Sequence, residues 1–122
     1  MKKSGPSNLQ TKKLITELVK EGNKRKQKIW KDIAKRLSKP RRLQPVINLW
    51  KLNKLGKKFK GKILLMPGKV LSEGEIEEKI EIAAIAFSKK AKQEIERKKG
   101  TVMTIKELLD KKISPKEIII IK

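Results

Sequence analysis

Leu14, Ile15, Leu18 and Val19 recur at helical spacing, with Ser7 and Asn8 as cap candidates ahead of them and Gly22 as a stop, which predicts a first helix. Ile29, Trp30, Ile33, Ala34 and Leu37 repeat the pattern. This second helix is expected to end near Ser38, because Pro40 pushes the residue before it out of the helical region. Lys28, Lys31, Lys35 and Arg36 fall on its other face, opposite the apolar stripe. Pro45 suits a first helical position, and Val46, Leu49, Trp50 and Leu52 or Asn53 continue the spacing to Leu55 before Gly56, predicting a third helix.

Beyond residue 60 the period changes. Ile63, Leu64, Leu65 and Met66 form a short continuous apolar run ahead of Pro67 and Gly68, which read as a turn, and residues 80–87 form a second run broken only by Glu81. Both predict strands buried on two faces. Ser88 caps an expected helix over residues 89–99 with Ala91 and Ile95 inward, and Gly100 closes it. Val102 and Met103 make a brief strand, Thr104 with Glu107 is a capping-box pattern opening a helix through Leu108 and Leu109, and residues 118–121 are an apolar β-branched run that reads as a further strand. Strands alternating with helices predict an α/β fold: a small mixed or parallel sheet packed with helices, preceded by a basic helical N-terminal extension.

Charge sharpens this division. The chain has 122 residues, 34 of them Lys or Arg against 13 Asp or Glu, for a net charge of +21. Residues 1–69 carry 22 basic and 3 acidic side chains, a net +19, and residues 70–122 carry 12 and 10, a net +2. Such asymmetry points to one part that meets a polyanion and another that presents an ordinary solvated surface. Nucleic acid ranks first, since each phosphate neutralised releases a condensed counterion, and a membrane surface second. No apolar run is long enough to cross a bilayer, and the N-terminus lacks the apolar stretch of a signal peptide. No membrane partner, small-molecule substrate or cofactor is expected. Cys and His are absent, which removes disulfides, the preferred zinc ligands, a thiolate nucleophile and the commonest general base, so an enzyme is not expected.

Candidate contact residues follow the cations. Lys24, Arg25, Lys26 and Lys28 cluster between the first two helices, and Lys35, Arg36 and Lys39 follow on and after the second. Arg41 and Arg42 stand between Pro40 and Pro45, where prolines reduce the ordering entropy lost on binding and guanidinium groups match phosphate bidentately or stack on unpaired bases. Lys51, Lys54, Lys57, Lys58 and Lys60 continue the charge, with Lys51, Lys54 and Lys58 on one face of a helix that runs so far. Trp30 and Trp50, each beside aliphatic neighbours at helical spacing, are expected in the core. Gly61, Gly68 and Lys69 do not make a nucleotide-binding loop, because six residues separate the glycines and Val70 stands where a hydroxyl is needed; Lys69 is left to reach a phosphate. Glu73, Glu75, Glu77, Glu78 and Glu81 are the one acidic cluster, read as a solvated face able to pair with the chain's own cations and not as a Mg²⁺ or acid/base site.

The stretch Lys35-Arg36-Leu37-Ser38-Lys39-Pro40-Arg41-Arg42 followed by Val46-Ile47-Asn48-Leu49 resembles the eighteen-e family of large-subunit ribosomal proteins of archaea and eukaryotes, a fold relative of the bacterial fifteen family. Ile29-Trp30-Lys31-Asp32, Pro67-Gly68-Lys69-Val70-Leu71 with Gly74, Ala83-Ala84, Phe87-Ser88 and Ile105-Lys106-Glu107-Leu108-Leu109 extend the likeness. Gln44 departs from it where a basic residue is usual, and Trp50 where smaller polar residues are common. The resemblance implies a structural constituent of the large ribosomal subunit, in the cytoplasmic ribosome, with ribosomal RNA and neighbouring ribosomal proteins as partners and no catalysis. Under it, Lys39, Arg41, Arg42, Asn48, Lys51 and Lys69 become candidate RNA contacts. Charge and periodicity together divide one structural unit into residues 1–60, the basic helical RNA-binding region, and residues 61–122, the compact α/β domain. The competing readings are a DNA-coating chromatin or nucleoid protein and an RNA-processing enzyme built on the acidic cluster.

Overall fold

The computed structural model describes residues 9–39 and 45–121, so Ser7, Asn8, Arg41, Arg42 and Gln44 lie outside the described residues. Contacts divide the chain into two compact units, Met1–Gln44 and Pro45–Lys122.

The first unit is a pair of helices, α1 (Leu9–Arg25) and α2 (Lys28–Leu37). Gly22, expected as a stop, lies inside α1. A Cβ there would come within 2.7 Å of Lys31 Cγ and 3.2 Å of the Gln27 carbonyl, so its missing side chain is what lets the helices approach. The helix ends three residues later, at Arg25. Lys26 takes a left-handed φ of 56°. The Gln27 N–H then donates to the Gly22 carbonyl at 3.0 Å and the Lys26 N–H to that of Asn23 at 3.4 Å, closing a Schellman turn without glycine. In α2 the predicted stripe Trp30, Ile33, Ala34 and Leu37 is buried, and the Trp30 indole N–H donates to Gln27 Oε1 at 2.6 Å. Ser38 follows the helix as expected, its hydroxyl donating to the Ala34 carbonyl at 2.8 Å.

The second unit is a five-stranded sheet, parallel at every pairing, with β1 (Val46–Asn48), β2 (Ile63–Leu71), β3 (Glu81–Phe87), β4 (Thr101–Thr104) and β5 (Ile118–Ile120). The order is β1-β2-β3-β4, and β5 joins β2. Strand β2 is long enough to serve both: Ile63 to Leu65 pair with Ile118 to Ile120, and Lys69 to Leu71 with Val46 to Asn48. Its near-continuous apolar run is what a strand covered on both faces needs.

Two expectations fail here for one reason. The spacing predicts Val46 in a helix opening at Pro45, yet Val46–Asn48 is a strand and the helix, α3 (Leu49–Lys58), starts after it. Pro67-Gly68 has the residue types of a turn, yet it lies within β2, where the register against β3 shifts between Met66 and Lys69. A bulge tolerates a proline because no ladder N–H is required of it. Gly68 lets the incoming chain close in: a Cβ there would stand 2.0 Å from the Pro45 carbonyl, which accepts the Lys69 N–H at 3.2 Å. Pairing with a segment 23 positions away decided both.

The remaining helices are α4 (Lys89–Arg97), where Ser88 Oγ accepts the Ala91 N–H at 3.2 Å, and α5 (Ile105–Asp110), which opens on the expected capping box of Thr104 and Glu107. Leu49 and Leu52 of α3 join Leu64, Met66, Val70, Ile82, Ala84, Ala91 and Ile95 in one apolar cluster.

Candidate nucleic-acid interface

Strands β2 and β3 are parallel neighbours with no helix between them, so residues 72–80 must carry the chain back along the length of the sheet in extended form. They do so laid alongside α3. Asn48 Oδ1 accepts the Glu73 N–H at 3.3 Å, and the Glu73 carbonyl accepts the Trp50 N–H at 3.1 Å. Gly74, at φ 105°, presses so close that a Cβ would lie 2.5 Å from the Trp50 nitrogen. One turn on, Asn53 Oδ1 accepts the Glu77 N–H at 2.9 Å while its amide donates to Glu77 Oε1 at 2.7 Å. Lys57 meets the same carboxylate at 2.6 Å, and Lys60 meets Glu78 at 2.9 Å. Ile76 is buried between these ties, its N–H reaching Glu94 Oε2 on α4 at 3.5 Å. At the end of the segment Ile80 packs on Gly56 of α3, where a Cβ would be 2.6 Å from Ile80 Cγ2.

The acidic cluster is thus a strap over a basic helix. Its hydrogen bonds from Lys57 and Asn53 hold the Glu77 carboxyl below its ordinary value, and that same bond to Glu77 raises the Lys57 ammonium. Burial alone would push Glu94 up, but two Arg97 bonds at 3.0 Å and the Ile76 N–H outweigh it and lower it. Among the described residues no group of three carboxylates converges to hold a metal ion, and no buried side-chain polar atom lacks a partner.

The candidate contacts separate accordingly. On the second unit Lys51, Lys54 and Lys58 project together from the exposed side of α3, as their spacing predicts. Lys57 and Lys60 turn to the strap and are only partly available to another anion. Asn48 spends its carbonyl oxygen on Glu73, a positioning role. Lys69 stands exposed on β2 beside exposed Val46, its register partner. On the first unit Lys24, Lys26 and Lys28 are exposed around the turn between α1 and α2, and Lys35 and Lys39 are exposed further along. Arg25 and Arg36 are half-buried in ion pairs one turn back, with Glu21 at 2.8 Å and Asp32 at 3.2 Å. Arg41 and Arg42 lie outside the described residues.

Two features went unread. Exposed Lys13 and Lys20 precede Lys24 on one face of α1, a stripe that a search for dense charge runs passes over but helical spacing reveals. Trp50, expected in the core, is 48% exposed with Lys54 Nζ 5.5 Å from its ring centroid. Leu49 and Leu52 turn inward instead: with Val46 in β1, the residue four positions back that put Trp50 on the predicted apolar face is no longer part of the helix.

Comparison with known proteins gives the chain's relatives. All of residues 1–122 match the family described as ribosomal protein 60S L18 and 50S L18e. The large ribosomal subunit protein eL18 of Archaeoglobus fulgidus is 43% identical over 109 residues, covering 89% of each chain. That of Methanococcus maripaludis is 40% identical over 109 residues, again 89% of each. The Methanopyrus kandleri protein of the same name is 38% identical over 110 residues, 88% of this chain and 87% of its own. By the whole-chain match and these identities, the chain belongs to the family of ribosomal proteins 60S L18 and 50S L18e.

Proposed function

We propose that the chain is a structural constituent of the large subunit of the cytoplasmic ribosome that binds ribosomal RNA through residues of its basic N-terminal half and performs no catalysis. Neighbouring ribosomal proteins are its further partners, met through the more balanced surface of residues 61–122. The observation that carries this reading is the ridge of Lys51, Lys54 and Lys58 on α3, beside a strap whose Glu77 and Glu78 are paired with Lys57 and Lys60. A helix so arranged offers a line of cations to a phosphate backbone while Glu77 and Glu78 are taken up by other lysines. Lys24, Lys26, Lys28, Lys35 and Lys39 extend the charge on the first unit, and Arg41 and Arg42 are assigned to the same role from their residue type and the prolines beside them. The large-subunit role is also what the relatives' names state of those proteins.

Sedimentation tests the reading. Tagged protein expressed in cells is expected to travel with the large subunit through a gradient at physiological salt and magnesium; protein that runs free at the top overturns it. Competition distinguishes the DNA-coating alternative, under which duplex DNA displaces bound ribosomal RNA at equal nucleotide concentration.

A further inference from the structure

We infer that Trp50 is a stacking platform for an unpaired RNA base, with Lys51 and Lys54 as the cations that hold the adjoining phosphates. This rests on the RNA-binding reading and adds a contact of different chemistry, to a base and not to the backbone. Val46 and Trp50 are the exposed large apolar side chains among the described residues of the second unit, and Trp50 is the aromatic one. An indole left half in water lacks the burial that would explain it as packing. Its backbone is held against the strap, by the bond to Glu73 and the close approach of Gly74, so less backbone ordering remains to be lost when a partner stacks. Lys54 lies over the ring at 5.5 Å, a cation–π contact that occupies one side and leaves the indole electrostatically matched to a polyanion.

The surroundings favour nucleic acid over an apolar peptide. Trp50 opens onto a hollow lined with Asn53, Lys54, Lys57, Glu75 and Glu77. Of its two carboxylates, Glu77 is engaged by Lys57 and Asn53, so the hollow does not repel a phosphate as two free acids would. Lys51, next in sequence, is exposed on the same helix. Aromatic face and flanking cations together are how proteins hold single-stranded nucleic acid.

The sequence supplies a spectroscopic test, because its other tryptophan, Trp30, is fully buried with its N–H bonded to Gln27. The full chain is titrated with a single-stranded oligoadenylate of about 12 nucleotides, a length within typical site sizes, and with a duplex RNA of equal length. Expected is quenching of tryptophan emission by the single strand, retained in Trp30→Phe and lost in Trp50→Phe, with much weaker quenching by the duplex. Trp50→Ala is expected to lower single-strand affinity roughly 5- to 100-fold, and Trp50→Phe, which keeps a ring, by only about 3-fold or less. Unquenched emission at saturating RNA, or unchanged affinity in Trp50→Ala, overturns the stacking contact while leaving RNA binding intact. A Trp50→Ala protein with normal RNA affinity that fails to retain a neighbouring protein in the particle also overturns it and gives the indole to a protein partner. Absence of any RNA binding by wild type overturns the broader reading as well.

Discussion

Asn53 and Glu77 hold each other twice, the Asn53 amide donating to the Glu77 carboxylate at 2.7 Å and its carbonyl oxygen accepting the Glu77 backbone N–H at 2.9 Å. An asparagine on the helix thereby fixes both the backbone and the charge of the strap. Asn53→Ala is expected to lose about 1–2 kcal/mol, from two bonds at the usual net worth, read as a lower urea midpoint with an unchanged slope. A midpoint equal to wild type would mean that the remaining ties, at Glu73, Gly74, Ile76 and the Lys57 and Lys60 ion pairs, hold the strap without Asn53.

Acid should loosen the same place. Glu77 is lowered by Lys57 and Asn53, and Glu107 by the Thr104 backbone N–H and hydroxyl, each from an ordinary 4.5. A depressed carboxyl contributes stability that is full above its ordinary value and is lost as pH falls through its folded one, so the loss lies below about pH 4.5. Denaturation midpoints are therefore expected to be level from pH 7 to 5 and to drop below that, with a shallower drop in Glu77→Gln. Equal drops in variant and wild type would remove Glu77 from the acid response.

Two glycines outside helices separate contact from conformation. Gly68→Ala forces a Cβ against the Pro45 carbonyl and is expected to cost more than about 2 kcal/mol by parting β1 from β2, whereas Gly61, at φ 83° in open space, should cost only about 1 kcal/mol on the same change. Thermal or urea unfolding of the pair checks the order. A reversed order would mean that β1 is not anchored at Pro45.

Salt dependence should tell the free lysines from the strapped ones. Replacing Lys51, Lys54 and Lys58 together by Gln is expected to flatten the plot of log affinity against log salt by roughly 2–3 for an RNA ligand, near 0.7–0.9 per lost phosphate contact. Replacing Lys57 and Lys60 should change it less, since Glu77 and Glu78 already engage them. Filter binding across a salt series measures both, and equal effects per lysine would show that the ion pairs open on binding.

Much of this was legible in the sequence wherever the cause is local. Ser88 and the Thr104–Glu107 pair announce their helices because capping is decided within four residues, and the apolar runs at Ile63 and Ile82 read as buried strands because both faces are covered. The errors share a non-local cause. Val46–Asn48 carries too few residues to show a period of two and takes its form from Lys69–Leu71, and Pro67-Gly68 resembles a turn unless the strand beside it is known. Trp50 followed, since taking Val46 out of the helix removes the neighbour four positions back that made position 50 part of an apolar face. Of the site, the cations on α3 were visible by spacing. That Glu77 and Glu78 would claim Lys57 on it and Lys60 just beyond it depended on a crossover path that no motif encodes.

The double duty of β2 has a temporal side. Ile63 pairs with Ile118, 55 positions later, on the edge that Val46 to Asn48 close only near the other end of the strand. During synthesis, the hydrogen-bonding groups of Ile63 to Leu65 on that side stay open until β5 emerges, by which time every cation of residues 1–69 has left the tunnel. The nascent chain therefore presents its charge to polyanions before its sheet can be completed, and protection from premature association is needed most in that interval.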